Sequence, residues 1–137
     1  MGKHPKLKGW QQAASTDPKA IEAWWAREPE SNIGLATGVA APGSGGQGLI
    51  VLDIDGPEGE AVVSKLGVPA ETPTVITGRG RQLYFKHPGG KVPNKVAAYP
   101  KLDSRGDGGY VVAPGSLHPN GKTYTWAPGL SPAEVTL

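Results

Sequence analysis

The chain has 137 residues, with 21 glycines, 14 prolines and no cysteine, and its 14 basic and 12 acidic side chains leave a formal net charge of +2. That length suits one domain, 1–137, with a modest core. The lack of cysteine excludes a disulfide scaffold, a thiolate zinc site and a cysteine nucleophile, and no apolar run approaches the ~20 residues of a membrane helix.

Residues 1–12 read as irregular, basic and turn-rich; with no apolar stretch they are no signal peptide, and the expected location is the cytoplasm. Thr16-Asp17-Pro18 is a helix start, a capping side chain followed by a proline whose missing N–H costs nothing there. The helix should run over 18–27, with Ile21, Trp24 and Trp25 on one core-facing side. A short strand is expected within 32–38. The loop 41–48 contains a literal G-x-G-x-x-G, at Gly43, Gly45 and Gly48, but a strand follows it rather than a helix, so it is no dinucleotide fingerprint.

Residues 49–52, LIVL, form a continuous apolar run of the kind a central, doubly covered strand shows, and they lead straight into Asp53-Ile54-Asp55. A helix is predicted over 57–67 with Ala61, Val62 and Leu66 inward, then strands over 73–77 and 82–86 joined by the basic turn GRGR at 78–81. A basic loop over 88–100 holds a short strand near Val96. Residues 101–105 lead into the turn GDGG at 106–109, strands follow at 110–113 and 122–126, and the tail from Pro128 is peripheral. The pattern is α/β (α+β) with at least one antiparallel hairpin, not a regular βαβ series.

Charge distribution says more than net charge. Asp53, Asp55, Glu58 and Glu60 form an acidic focus, whereas residues 79–105 carry seven basic side chains against Asp103 alone. Alternation along a strand aims Asp53 and Asp55 the same way. Two carboxylates so close repel, and a divalent cation is the simplest offset, Mg²⁺ preferring one or two carboxylates plus water and phosphate oxygens. Asp103 is a third acid behind a short apolar approach, and three carboxylates can hold two metals. An acidic strand-end turn without chemistry is the plainer reading of the pair. An EF-hand does not fit, because Gly56 comes too early and a strand precedes it. A phosphatase of the haloacid dehalogenase type, with Asp53 as nucleophile and Asp55 as acid, is a second enzymatic reading. In the turn at 78–81, glycines let a backbone approach an anion and arginine forks match phosphate oxygens; the plainer reading is an ordinary surface hairpin.

Taken in order, these parts resemble the bifunctional primase/polymerase domain of the archaeo-eukaryotic primase superfamily. Residues 49–59, LIVLDIDGPEG, resemble its first motif; 72–85, TPTVITGRGRQLYF, its second; and 102–114, LDSRGDGGYVVAP, with Ser116 and His118 following, its third. Lys8-Gly9-Trp10, Thr16 to Pro18, Ile21, Trp24, Trp25 and NIGLATG at 32–38 also match, so the resemblance spans nearly the whole chain. It implies a catalytic core with a mixed, partly antiparallel sheet flanked by helices. It implies template-dependent nucleotidyl transfer, as DNA primase and DNA polymerase, from NTP or dNTP on single-stranded DNA in plasmid, phage or mobile-element replication. By the same resemblance Asp53, Asp55 and Asp103 would ligate two Mg²⁺ or Mn²⁺ ions, and Arg79, Gly80, Arg81, Gln82 and Arg105 would bind nucleotide, with the basic stretch 86–101 drawing in template. A helicase region often accompanies such domains, and here it would lie outside the chain. Gln82 stands where the family usually has histidine; glutamine can donate an N–H but carries no positive charge. The family's usual N-terminal helix and strand are also not recognisable before Lys3. A catalytically weakened nucleotide- or single-strand-binding module is therefore the non-enzymatic alternative.

Overall fold

The computed structural model describes residues 4–6, 8–39 and 48–137. The elements, in order, are α1 (Trp10–Ala13), α2 (Pro18–Arg27), β1 (Gly34–Ala36), β2 (Leu49–Asp55), α3 (Gly56–Leu66), β3 (Thr74–Ile76), β4 (Gly80–Lys86), β5 (Lys95–Tyr99), β6 (Leu102–Arg105), β7 (Tyr110–Val112) and β8 (Thr125–Trp126). Gly43 and Gly45 of the rejected glycine motif lie outside the described residues, and a strand does follow Gly48.

The apolar run at 49–52 behaves as its composition dictates. β2 is an inner strand of a six-stranded sheet ordered β5-β6-β2-β4-β3-β8, and both its faces are covered. On one face Ile54, Leu83 and Leu102 pack with Val63 of α3. On the other, Val51, Val75 and Tyr84 pack with Val111 and Val112 of β7 and with Tyr124. β7 pairs with β1 in a separate two-stranded sheet, so the layers run α3, large sheet, small sheet. Every pairing between these strands is antiparallel, where a mixed sheet was expected. α3 is no crossover between parallel strands; it leaves the end of β2 and folds back over one face.

α2 matches its expected bounds, and the Asp17 carboxylate accepts from the Lys19 N–H at the N-cap. Its tryptophans do not enter the core: no α2 residue is buried, and Trp24 and Trp25 make an edge contact at 6.3 Å along a surface groove. In α3 the inward residues are Gly59 and Val63, with Val62 partly buried, while Ala61 and Leu66 face solvent. The close approach of Gly59 to the Lys101 carbonyl, which leaves no room for a Cβ, sets that rotation. Three elements escaped the sequence pattern: α1, one turn long; β6, read as a lead-in to a turn; and the start of the tail, where Thr74 N–H donates to the Leu130 carbonyl and Ala127 N–H to the Thr74 carbonyl.

Candidate active site

Alternation along β2 puts Val51, Asp53 and Asp55 on the face toward the small sheet. The antiparallel register then sets Asp53 directly opposite Asp103 on β6 and opposite Gln82 on β4. Three polar side chains, far apart in sequence, thus stand in one row across three strands, at the ~4.5–5.5 Å spacing of facing Cβ atoms. They line an open cleft of about 340 Å³ together with Asp55, Arg79 and Arg105, and its remaining wall includes Thr77, Lys101, His118 and Tyr124.

Each wall has a local cause. Asp55 is the N-cap residue of α3, yet its carboxylate makes no capping hydrogen bond. Arg105 Nη2 donates to Asp103 Oδ2 at 3.2 Å. Arg79 is exposed at the tip of the β3–β4 turn, which Thr77 closes: its Oγ1 accepts the Gly80 N–H at 3.0 Å, and its own N–H donates to the Gly80 carbonyl at 2.9 Å. Lys101 takes the left-handed conformation, φ 60°, between β5 and β6, and its carbonyl accepts the Asp55 N–H. Toward the core, Gln82 is 4% exposed and its Oε1 has no hydrogen-bond partner among the described residues; the buried Tyr84 hydroxyl has none among them either. Burial first, and then the Asp53 carboxylate, push the Tyr84 hydroxyl well above the ordinary tyrosine value, and the same two causes raise Tyr124. The field of Asp53 therefore reaches both tyrosines beside the cleft.

Two expected members are not among the residues that line the cleft. Arg81 faces Ile54 across the ladder and so belongs to the α3 face, where its guanidinium grips Glu60 with two bonds of 2.6 and 2.8 Å. That bond holds the Glu60 carboxyl below its ordinary range and raises Arg81. Gly80 faces Asp55, and a Cβ there would collide with the Ile54 carbonyl, so its glycine serves strand approach. Of the basic stretch 86–101 only Lys101 lines the cleft; Lys86 pairs with Leu49 at the far end of β4, roughly 20 Å along the strand. Thr77, His118 and Tyr124 were not assigned from sequence, and Lys101 only as the end of the basic stretch 86–101. His118, two residues after Ser116, was the one with a visible signal, since it closes the third motif.

Among the described residues no three His, Asp or Glu side chains form a preformed metal cage. The donor set nevertheless suits a hard divalent cation of the magnesium type. Such an ion needs only one or two carboxylates and takes its other ligands from water and phosphate. Three carboxylates line the cleft, and beside them lies the buried amide oxygen of Gln82, which has no hydrogen-bond partner among the described residues; all are oxygen ligands of the kind such an ion takes.

An acid-lined cleft at the end of an inner antiparallel strand, beside an arginine-bearing turn, is the kind of place where phosphate chemistry can be done. The chain belongs to the bifunctional DNA primase/polymerase N-terminal family, whose sequence profile matches residues 1–136. Neither a curated protein nor a solved structure matches it. Among the described residues no helix is long and apolar enough to cross a membrane.

Proposed function

We propose that the chain is a nucleotidyltransferase domain that extends, and starts, DNA chains on a single-stranded template from nucleoside triphosphates. The observation that carries this reading is the shared row of Asp53, Asp103 and Gln82, with Asp55 and Arg79 lining the same cleft. Asp53, Asp55 and Asp103 would hold Mg²⁺ or Mn²⁺. Bound there, the ions would neutralise the triphosphate and lower the pKa of the attacking hydroxyl. Arg79, on a turn fixed by Thr77, meets the phosphates from the rim. Arg105 orients the Asp103 carboxylate through its 3.2 Å bond and faces the cleft beside it. Tyr124 on the cleft wall and Tyr84 in the core behind it keep their protons, because burial and the Asp53 charge both oppose ionisation. Catalysis on this reading is positioning and charge neutralisation.

The test is primer extension and de novo priming with Mn²⁺ or Mg²⁺. Product is expected from the wild-type chain and only background from Asp53→Ala. Binding of triphosphate and DNA with no synthesis under either ion would select the non-enzymatic module instead. Membership of this family supports the nucleotidyltransferase reading over the phosphatase alternative.

A further inference from the structure

The cleft is rich in acceptors, and the basic side chains that line it, Arg79, Lys101 and Arg105, stand toward its rim or are held by an acid. Arg105 is bonded to Asp103 and Arg81 to Glu60 on the opposite face. Arg79 makes no side-chain hydrogen bond or ion pair among the described residues, but it is exposed at the rim. His118 is a more deeply set donor, 7% exposed and lining the cleft. Its Nδ1 accepts the Asn120 N–H at 3.1 Å, which places the proton of the neutral ring on Nε2. Nε2 has no hydrogen-bond partner among the described residues, and it is not among the fully buried unpartnered atoms, so it opens to the cleft.

The ring is also tightly placed. Asn32 brackets the backbone of Leu117, donating Nδ2–H to its carbonyl at 2.9 Å and accepting its N–H at 3.0 Å. The Ser116 hydroxyl oxygen accepts the Ile33 N–H at 2.7 Å. Tyr124 lies against the ring at 5.7 Å. On the other side the imidazole fills the space where a Cβ of residue 78 would stand, and Asn120 Nδ2–H donates to the Gly78 carbonyl. The imidazole is thus clamped to the turn that carries Arg79, one residue on. We propose that His118 contacts substrate: its Nε2–H donates to the phosphate chain of the bound nucleoside triphosphate, across the Gly78–Arg79 turn from the arginine. This assignment rests on reading the cleft as a nucleotide site.

Calorimetric titration of the full chain with dATP and with dAMP, both in Mn²⁺, separates the two claims. His118→Leu keeps the bulk against Gly78 and Tyr124 but removes the donor; His118→Gln returns an N–H. The expected result is a loss of about tenfold in dATP affinity for His118→Leu. The dAMP affinity should stay within about twofold, and His118→Gln should recover part of the dATP loss. Unchanged dATP affinity in His118→Leu, or an equal loss for dATP and dAMP, overturns the role of His118 and leaves the nucleotide site standing. Failure of the wild-type chain to bind dATP overturns the nucleotide site itself.

Discussion

Gln82 carries a tension that core residues avoid. Its side chain is buried, its Oε1 lacks a partner among the described residues, and it stands beside a carboxylate that is also an acceptor. An unsatisfied buried acceptor costs about 1–3 kcal/mol. Such a cost is expected where a position is shaped for a ligand rather than for the fold. Replacing Gln82 by Met removes the polar atoms at nearly constant length. The expected result is a rise in Tm of about 3–5 °C, as ~1 kcal/mol gives in a domain of this size, together with weaker nucleotide binding. A lower Tm with unchanged binding would instead make Gln82 a packing residue.

At the scale of elements, the Arg81–Glu60 pair ties β4 to α3 behind the site. Both side chains are partly exposed, 28% and 41%, so the contribution to stability is modest, about 0–1 kcal/mol. Its pH dependence has a definite sign. The hydrogen bond from Arg81 lowers the folded-state value of Glu60 from 4.5. The stabilisation is therefore present above the unfolded glutamate value and is lost as the pH falls through the lowered folded one. Thermal unfolding of wild type and Glu60→Gln should differ at pH 7 and converge as the solution is taken below that range. A difference that persists in acid would show that α3 is held by packing against Ile54 and Leu83 and not by the ion pair.

Over the whole molecule, the two faces of the large sheet divide the labour. α3 and its apolar residues seal one face; the other is apolar where the small sheet covers it and acidic at the end it leaves open. The basic side chains are spread unevenly around this opening. Arg79 and Lys101 flank it, whereas Lys86 sits at the opposite end of the sheet. If single-stranded DNA crosses the cleft, its affinity falls with salt in proportion to the phosphates neutralised, by ~0.7 in log–log slope for each contact. Lys101→Ala should flatten that slope by about one contact's worth, and Lys86→Ala should leave it unchanged. Equal effects from both would mean that DNA is held by diffuse charge and not by the cleft.

The sequence by itself determined what is local. The helix start at Thr16-Asp17-Pro18, the apolar strand ending in two acids, and the shared aim of Asp53 and Asp55 all follow from capping chemistry and a period of two. Motif order was enough to point to the family. Only the tertiary structure decided which strand neighbours which, and in what register. That register sets Asp103 and Gln82 beside Asp53 and so commits the neighbouring Arg81 to the α3 face. A slip of one residue would have exchanged the faces of Gln82 and Arg81, and no pattern within a single strand encodes that choice. His118 belongs to the same class: Asn32, 86 positions upstream, sets its place, and the glycine whose missing Cβ makes room for its ring lies 40 positions away.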